Sequence, residues 1–167
     1  IKNTKKRKKM KKIVTFLLLT LYSAFAVWQN NTKKKQEISK PFVLGEIIEL
    51  QSKVLSEKRI LNIYLPQGYN PNDSINYPVT YLLDGSADED FIHVVGLFQF
   101  NNFSWINRVP KSILVGIANV DRRRDFTYPS TIAENQKRDP TSGKSANFIS
   151  FIESELQPFI EKIYKTN

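Results

Sequence analysis

Tyr77-Pro78-Val79-Thr80-Tyr81-Leu82-Leu83-Asp84-Gly85-Ser86 is an apolar run of strand length that breaks abruptly into Asp-Gly and a small hydroxyl residue. A run apolar on both faces reads as a buried strand of parallel type, here the central one. The Asp-Gly break reads as a tight turn at its carboxyl end. In open α/β sheets, crevices that hold ligands lie outside the carboxyl ends of such strands. Asp84, Gly85 and Ser86 are thereby placed beside a candidate site.

Upstream of this run, Phe42 to Val54 and Lys58 to Pro66 carry alternating apolar positions, which predict two antiparallel strands joined by a turn near Ser56-Glu57. Gly68 to Ser74 is a loop of turn formers. Downstream, Phe91, Val94, Val95 and Phe98 recur at helical intervals, predicting a helix within Ala87 to Trp105. Ser112 to Ala118 is a second continuous apolar run of strand length. Asn119 to Ser142 is a long polar segment containing Arg122-Arg123-Arg124-Asp125. Ala146 to Tyr164 is strongly amphipathic, with Ser145 as its expected N-cap. Pro158, inside it, removes a backbone donor and should kink or divide the helix. Three strands, a helix, a strand and a helix make the opening of an α/β sheet with an antiparallel edge.

The formal net charge of +9 suggests nucleic acid until its distribution is examined. Eight of the 25 basic residues precede Ile13, whereas residues from Val27 onward hold 17 Lys+Arg against 16 Asp+Glu. The excess therefore belongs to a leader, and nucleic acid is not an expected partner. Residues 1–26 read as that leader: a cationic stretch from Lys2 to Lys12, an apolar stretch from Ile13, and small residues at Ala24-Phe25-Ala26 fit for signal cleavage. Met10 is the natural start of translation within it. Such a segment predicts export to the periplasm or exterior, with membrane contact only through the leader. Residues 27–41, with Lys33-Lys34-Lys35, form a polar linker.

Several chemistries are set aside. The chain has no cysteine, which excludes disulfides and thiolate chemistry. His93 is the lone histidine, so a histidine-based metal site is not expected, and its role is structural or pocket-lining. Asp84, Asp88, Glu89 and Asp90 lack calcium-loop spacing and are read as helix-start acids; no metal and no cofactor is expected. Gly143-Lys144-Ser145 is not a phosphate loop, because Arg138 stands where its first glycine is required. Arg122, Arg123 and Arg124, flanked by Asp121 and Asp125, pin the long polar segment near the crevice, with Arg122 and Arg124 as candidate substrate contacts.

Leu65-Pro66-x-Gly68-Tyr69, Tyr77-Pro78-Val79-x-Tyr81-Leu82-Leu83-Asp84-Gly85 and His93-Val94-x-Gly96-Leu97 resemble the esterase D-like esterases. These are α/β-hydrolases related to the enterochelin (siderophore) esterases and the mycolyltransferases. The similarity continues through Ile113-x-Val115-Gly116-Ile117-x-Asn119-x-Asp121-Arg122-x-Arg124-Asp125-Phe126-Thr127. It ends in Phe148-Ile149-x-Phe151-Ile152-x-x-Glu155-Leu156-x-Pro158-Phe159-Ile160-x-x-x-Tyr164, so it covers residues 42–167.

The resemblance implies a serine esterase acting on a small-molecule ester, without a cofactor, and the leader adds the expectation of export. It implies a partial α/β-hydrolase fold, a mixed sheet with antiparallel N-terminal strands that stops before the nucleophile elbow. No Gly-x-Ser-x-Gly occurs in these residues, and in the family's order the acid and histidine follow the elbow. An N-terminal fragment, inactive alone, is therefore expected. By motif position, the Ser86 N–H is one oxyanion-hole donor, with Gly85 allowing the sharp turn. Two other readings stay open: a non-catalytic exported binding module on this scaffold, and an acyltransferase that resolves the same acyl-enzyme with an alcohol.

Overall fold

The structure is a computed structural model that describes residues 15, 17–23, 25 and 39–167. Residues 15, 17–23 and 25 are helical. The leader and linker assignments otherwise lie outside the described residues. Among the described residues, no helix is long and apolar enough to cross a membrane. The chain divides into two compact units, and the second, Leu44–Asn167, carries the sheet.

Four strands form that sheet: β1 (Glu46–Ser52), β2 (Glu57–Tyr64), β3 (Val79–Leu82) and β4 (Ile113–Ile117), in the order β1-β2-β4-β3. β1 and β2 pair antiparallel, as their alternation predicted, about a turn in which Ser56 adopts a left-handed φ of 54°. β2 also pairs antiparallel with β4, and β4 pairs parallel with β3. The expectation that Tyr77 to Leu83 is the central buried strand is corrected here. β4 is inside and buried along its whole length, whereas β3 lies at the flank and is half-buried. Both runs are apolar, and only pairing separates them. Beyond β3, the Tyr77 N–H donates to the Lys165 carbonyl at 3.0 Å and the Asn167 N–H to the Tyr77 carbonyl at 3.2 Å, so these segments run parallel.

Strand alternation sends side chains to both faces of the sheet. On one face Leu61, Ile63, Ile113, Val115 and Ile117 pack against Phe148, Phe151, Leu156 and Ile160. On the other, Tyr64 and Leu114 pack against Phe91 and Val95 of helix α1 (Phe91–Asn101). Each such burial contributes about 1.5–3 kcal/mol, which is why these residues, rather than helix propensity, hold the two helical layers on the sheet.

The polar stretch after β4 is not a plain loop: it contains α2 (Arg122–Phe126) and α3 (Ala133–Arg138). The long amphipathic helix divides as Pro158 foretold. α4 (Ser145–Phe151) passes through a π-helical segment, Ile152–Leu156, into α5 (Gln157–Ile163), and the Gln157 N–H reaches back to Ile152. Glu155, on the π segment, accepts from Ser52 Oγ at 2.5 Å and the Lys53 N–H at 2.9 Å, clamping the β1–β2 turn. Ser145 is not the N-cap; Lys144 is, and the Ser145 hydroxyl is buried inside the first turn with no hydrogen-bond partner among the described residues.

Candidate active site

β3 ends at Leu82, and the chain turns through Asp84 in a left-handed conformation, φ 53°. Gly85 then lies directly against β4. A Cβ on Gly85 would sit 2.4 Å from Gly116 Cα, and one on Gly116 would sit 2.4 Å from the Gly85 carbonyl oxygen. The two backbones approach too closely for any other residue pair. The Gly85 N–H donates to the Ile117 carbonyl at 3.1 Å, and its own carbonyl accepts from Nδ2 of buried Asn62 at 2.8 Å. A trans peptide is planar, so holding the Gly85 carbonyl on Asn62 aims the Ser86 N–H in the opposite direction.

That N–H meets Glu89 Oε2 at 3.3 Å, and Ser86 Oγ donates to Asp88 Oδ1 at 2.5 Å. Ser86-x-x-Glu89 has the spacing of a capping box, with the carboxylate folded back on the first amide. The sequence expectation that these are first-turn acids is overturned. The helix starts later, at Phe91, with Asp90 as its N-cap and no acid in its first turn.

The turn is charged on its outer side. Arg122 grips Asp84 with two bonds, Nε to Oδ1 at 2.9 Å and Nη2 to Oδ2 at 3.1 Å. Asn119 Nδ2 donates to Asp84 Oδ1 at 2.7 Å and to Glu89 Oε1 at 3.1 Å. The Arg122 bonds first, and the Asn119 bond second, hold the Asp84 carboxyl below its ordinary range. The Ser86 hydroxyl does the same for Asp88. Both groups are therefore carboxylates at neutral pH; Arg122 offsets Asp84, while Asp88 holds the Ser86 hydroxyl.

A helix turns about 100° per residue, so three consecutive arginines cannot serve one site. Arg122 faces Asp84, Arg123 pairs with Asp139 at 2.6 Å, and Arg124 bonds Glu57 and Asp125. The structure thus brings Asp84, Gly85, Ser86 and Arg122 together and carries Arg124 elsewhere. Arg124 joins a tetrad with Glu57, Asp125 and Arg59, in which Arg59 and Asp125 are buried and Arg124 and Glu57 half-buried. Arg59 reaches Asp125 at 2.6 Å and lies over the rings of Phe148 and Phe151. His93 is exposed on α1. Sequence reasoning missed Asn62, Asn119 and Glu89. The signal for Asn62 was an amide inside a strand whose neighbours are all apolar.

Residues 52–167 match the sequence profile of the Esterase family, described as "putative esterase". The ferri-bacillibactin esterase BesA of Bacillus subtilis is 28% identical over 122 residues, covering 66% of this chain and 42% of that protein. The crystal structure of an IroE-like serine hydrolase from Shewanella oneidensis superposes with a TM-score of 0.64 at 36% identity, over 74% of this chain and 40% of the other. The BES protein of Bacillus cereus gives a TM-score of 0.60 at 28% identity, over 77% of this chain and 51% of the other. The chain thus spans 40–51% of the length of these relatives.

Proposed function

The chain belongs to the esterase family, and from that premise we propose that it is the amino-terminal part of an exported serine carboxylic-ester hydrolase. The observation carrying this reading is the fixed Gly85–Ser86 peptide, whose carbonyl is held by Asn62 at 2.8 Å. In ester cleavage, attack by a hydroxyl on the carbonyl carbon leaves a tetrahedral intermediate with a negative oxygen. A backbone N–H already aimed at that oxygen stabilises it without reorganisation, and losing one such donor costs about 10²–10³ in rate. The Ser86 N–H takes this role, Gly85 and Asp84 shape the turn, and Arg122 offsets the Asp84 carboxylate.

The nucleophile, acid and base belong to sequence outside these 167 residues, which contain no Gly-x-Ser-x-Gly and one exposed histidine. The substrate class follows the named relative: esters of the siderophore type. One observation favours the non-catalytic binding module instead. Glu89 Oε2 already occupies the Ser86 amide at 3.3 Å. That distance is at the long end for a hydrogen bond, so an oxyanion can displace the carboxylate towards Asn119.

Two measurements test the proposal. Turnover of an aryl acetate by the 167-residue chain alone is expected to be absent; saturable turnover abolished by a substitution within the chain would sink it. The reading frame continued past Asn167 is expected to supply Gly-x-Ser-x-Gly and activity. A continuation with another residue at that serine would leave the binding module standing.

A further inference from the structure

We propose that the segment between β4 and α4 builds an anion-binding pocket around Arg123 and Arg138, shaped for the carboxylate or phosphate group of a small ligand. The cavity measures about 230 Å³ and lies in this segment, away from the Asp84–Ser86 turn. Arg123 Nη1 and Arg138 Nε converge on the same oxygen, Asp139 Oδ2, at 2.6 and 2.9 Å. Asp139 is the single acid among the residues lining the cavity, so two guanidiniums face one carboxylate. A guanidinium has five N–H donors in a planar fork, and one carboxylate oxygen leaves most of them open to a second anion. The surplus charge is one positive unit, directed into a concave space rather than spread over a flat surface.

The pocket is also held in shape, which a chance meeting of surface arginines would not be. Thr127 Oγ1 donates to the Arg123 carbonyl at 2.6 Å and accepts from the Gly143 N–H at 2.9 Å. The Lys144 N–H donates to the Arg124 carbonyl at 2.8 Å and the Ser145 N–H to the Thr127 carbonyl at 3.2 Å, tying the two ends of the segment together. Gly143 has φ +90° and lies so close to Pro129 that a Cβ would meet its Cα at 2.7 Å. Ser142 Oγ anchors the Asp139 carbonyl at 2.7 Å. Asp139 is therefore fixed, and Arg123 and Arg138, 63% and 64% exposed, each keep further N–H donors open to a ligand beside their bond to it. Exposed Tyr128 at the rim offers a ring face to an aromatic acid.

The test titrates the full chain with inorganic phosphate in one arm and benzoate in another, followed by calorimetry and by the arginine Nε and Gly143 amide resonances. Saturable binding is expected, weakened about tenfold by Arg123→Gln and by Arg138→Gln, the order expected for losing one charge-assisted hydrogen bond. Asp139→Asn should tighten binding, because it removes the competing carboxylate. Arg108→Gln, on a different part of the surface, should leave it unchanged. A preference for phosphate assigns the phosphate source, and a preference for benzoate the carboxylate source. Absence of saturable binding, indifference to both arginine variants, or loss of binding in Asp139→Asn with an unchanged circular dichroism spectrum would overturn the proposal. Ester turnover enters none of these readouts, so the pocket stands or falls apart from the esterase reading.

Discussion

At Arg59, Arg124, Glu57 and Asp125, two guanidiniums meet two carboxylates, with the Arg59 guanidinium over Phe148 and Phe151 and both Arg59 and Asp125 no more than 2% exposed. At Asp84 and Arg122, the same two chemical groups meet at 2.9 Å with Arg122 65% exposed. Both clusters are built with side chains of one short helix, α2. Burial alone separates them. The inner cluster is charge-balanced and its Arg59–Asp125 pair is buried, so breaking that pair leaves a poorly compensated charge inside the protein. The outer one is screened, and its partners can be exchanged for a ligand at little cost. Identical side chains thus form a buried pair in one place and an exposed one in the other.

The contrast breaks most easily at Arg59. Arg59→Ala leaves Asp125 buried with Arg124 as its remaining partner, and an unfolding loss of about 3–5 kcal/mol is expected by urea titration. A loss near zero would mean that the tetrad is not an anchor. Next comes Asn62→Ala, which strands the buried Gly85 carbonyl. A loss of about 1–3 kcal/mol is expected, together with a displaced Ser86 amide resonance. An unmoved resonance would show that the Gly85–Gly116 contact, not Asn62, aims this peptide.

The smallest effect is expected at Arg122→Ala, a change in melting midpoint of about a degree or two at neutral pH. Its pH dependence sharpens the comparison. Asp84 has a folded pKa below its ordinary value because of Arg122 and Asn119, so its contribution is complete above the ordinary carboxylate range. That contribution disappears as pH falls through the lowered folded value. The gap between wild type and variant should therefore close on acidification. A gap that widened would contradict the assignment of the pair.

How much of this was legible in advance follows from which forces act locally. The antiparallel pair β1–β2, the two apolar strands, α1 and the divided helix at Pro158 were all readable, because each is written in alternation, helical spacing or a missing N–H. The turn at Asp84-Gly85-Ser86 was readable from its Asp-Gly break. The late start of α1 was not, since Glu89 and Asp90 look like first-turn acids until the backbone places them ahead of Phe91. Nor was the separation of Arg122, Arg123 and Arg124, because a five-residue helix inside a polar stretch leaves no periodic apolar signature.

Local pattern was enough to specify a mixed α/β sheet with a glycine-bearing turn at the end of one strand, since hydrophobic period and turn chemistry act between near neighbours. Tertiary structure alone decided that β4 rather than β3 lies inside, that Asn62 orients the Gly85–Ser86 peptide, and that Arg59 pairs with Asp125. Those contacts join residues 23 and 66 positions apart, and only packing of a turn and a helix against β2 brings a donor to an acceptor across such a distance.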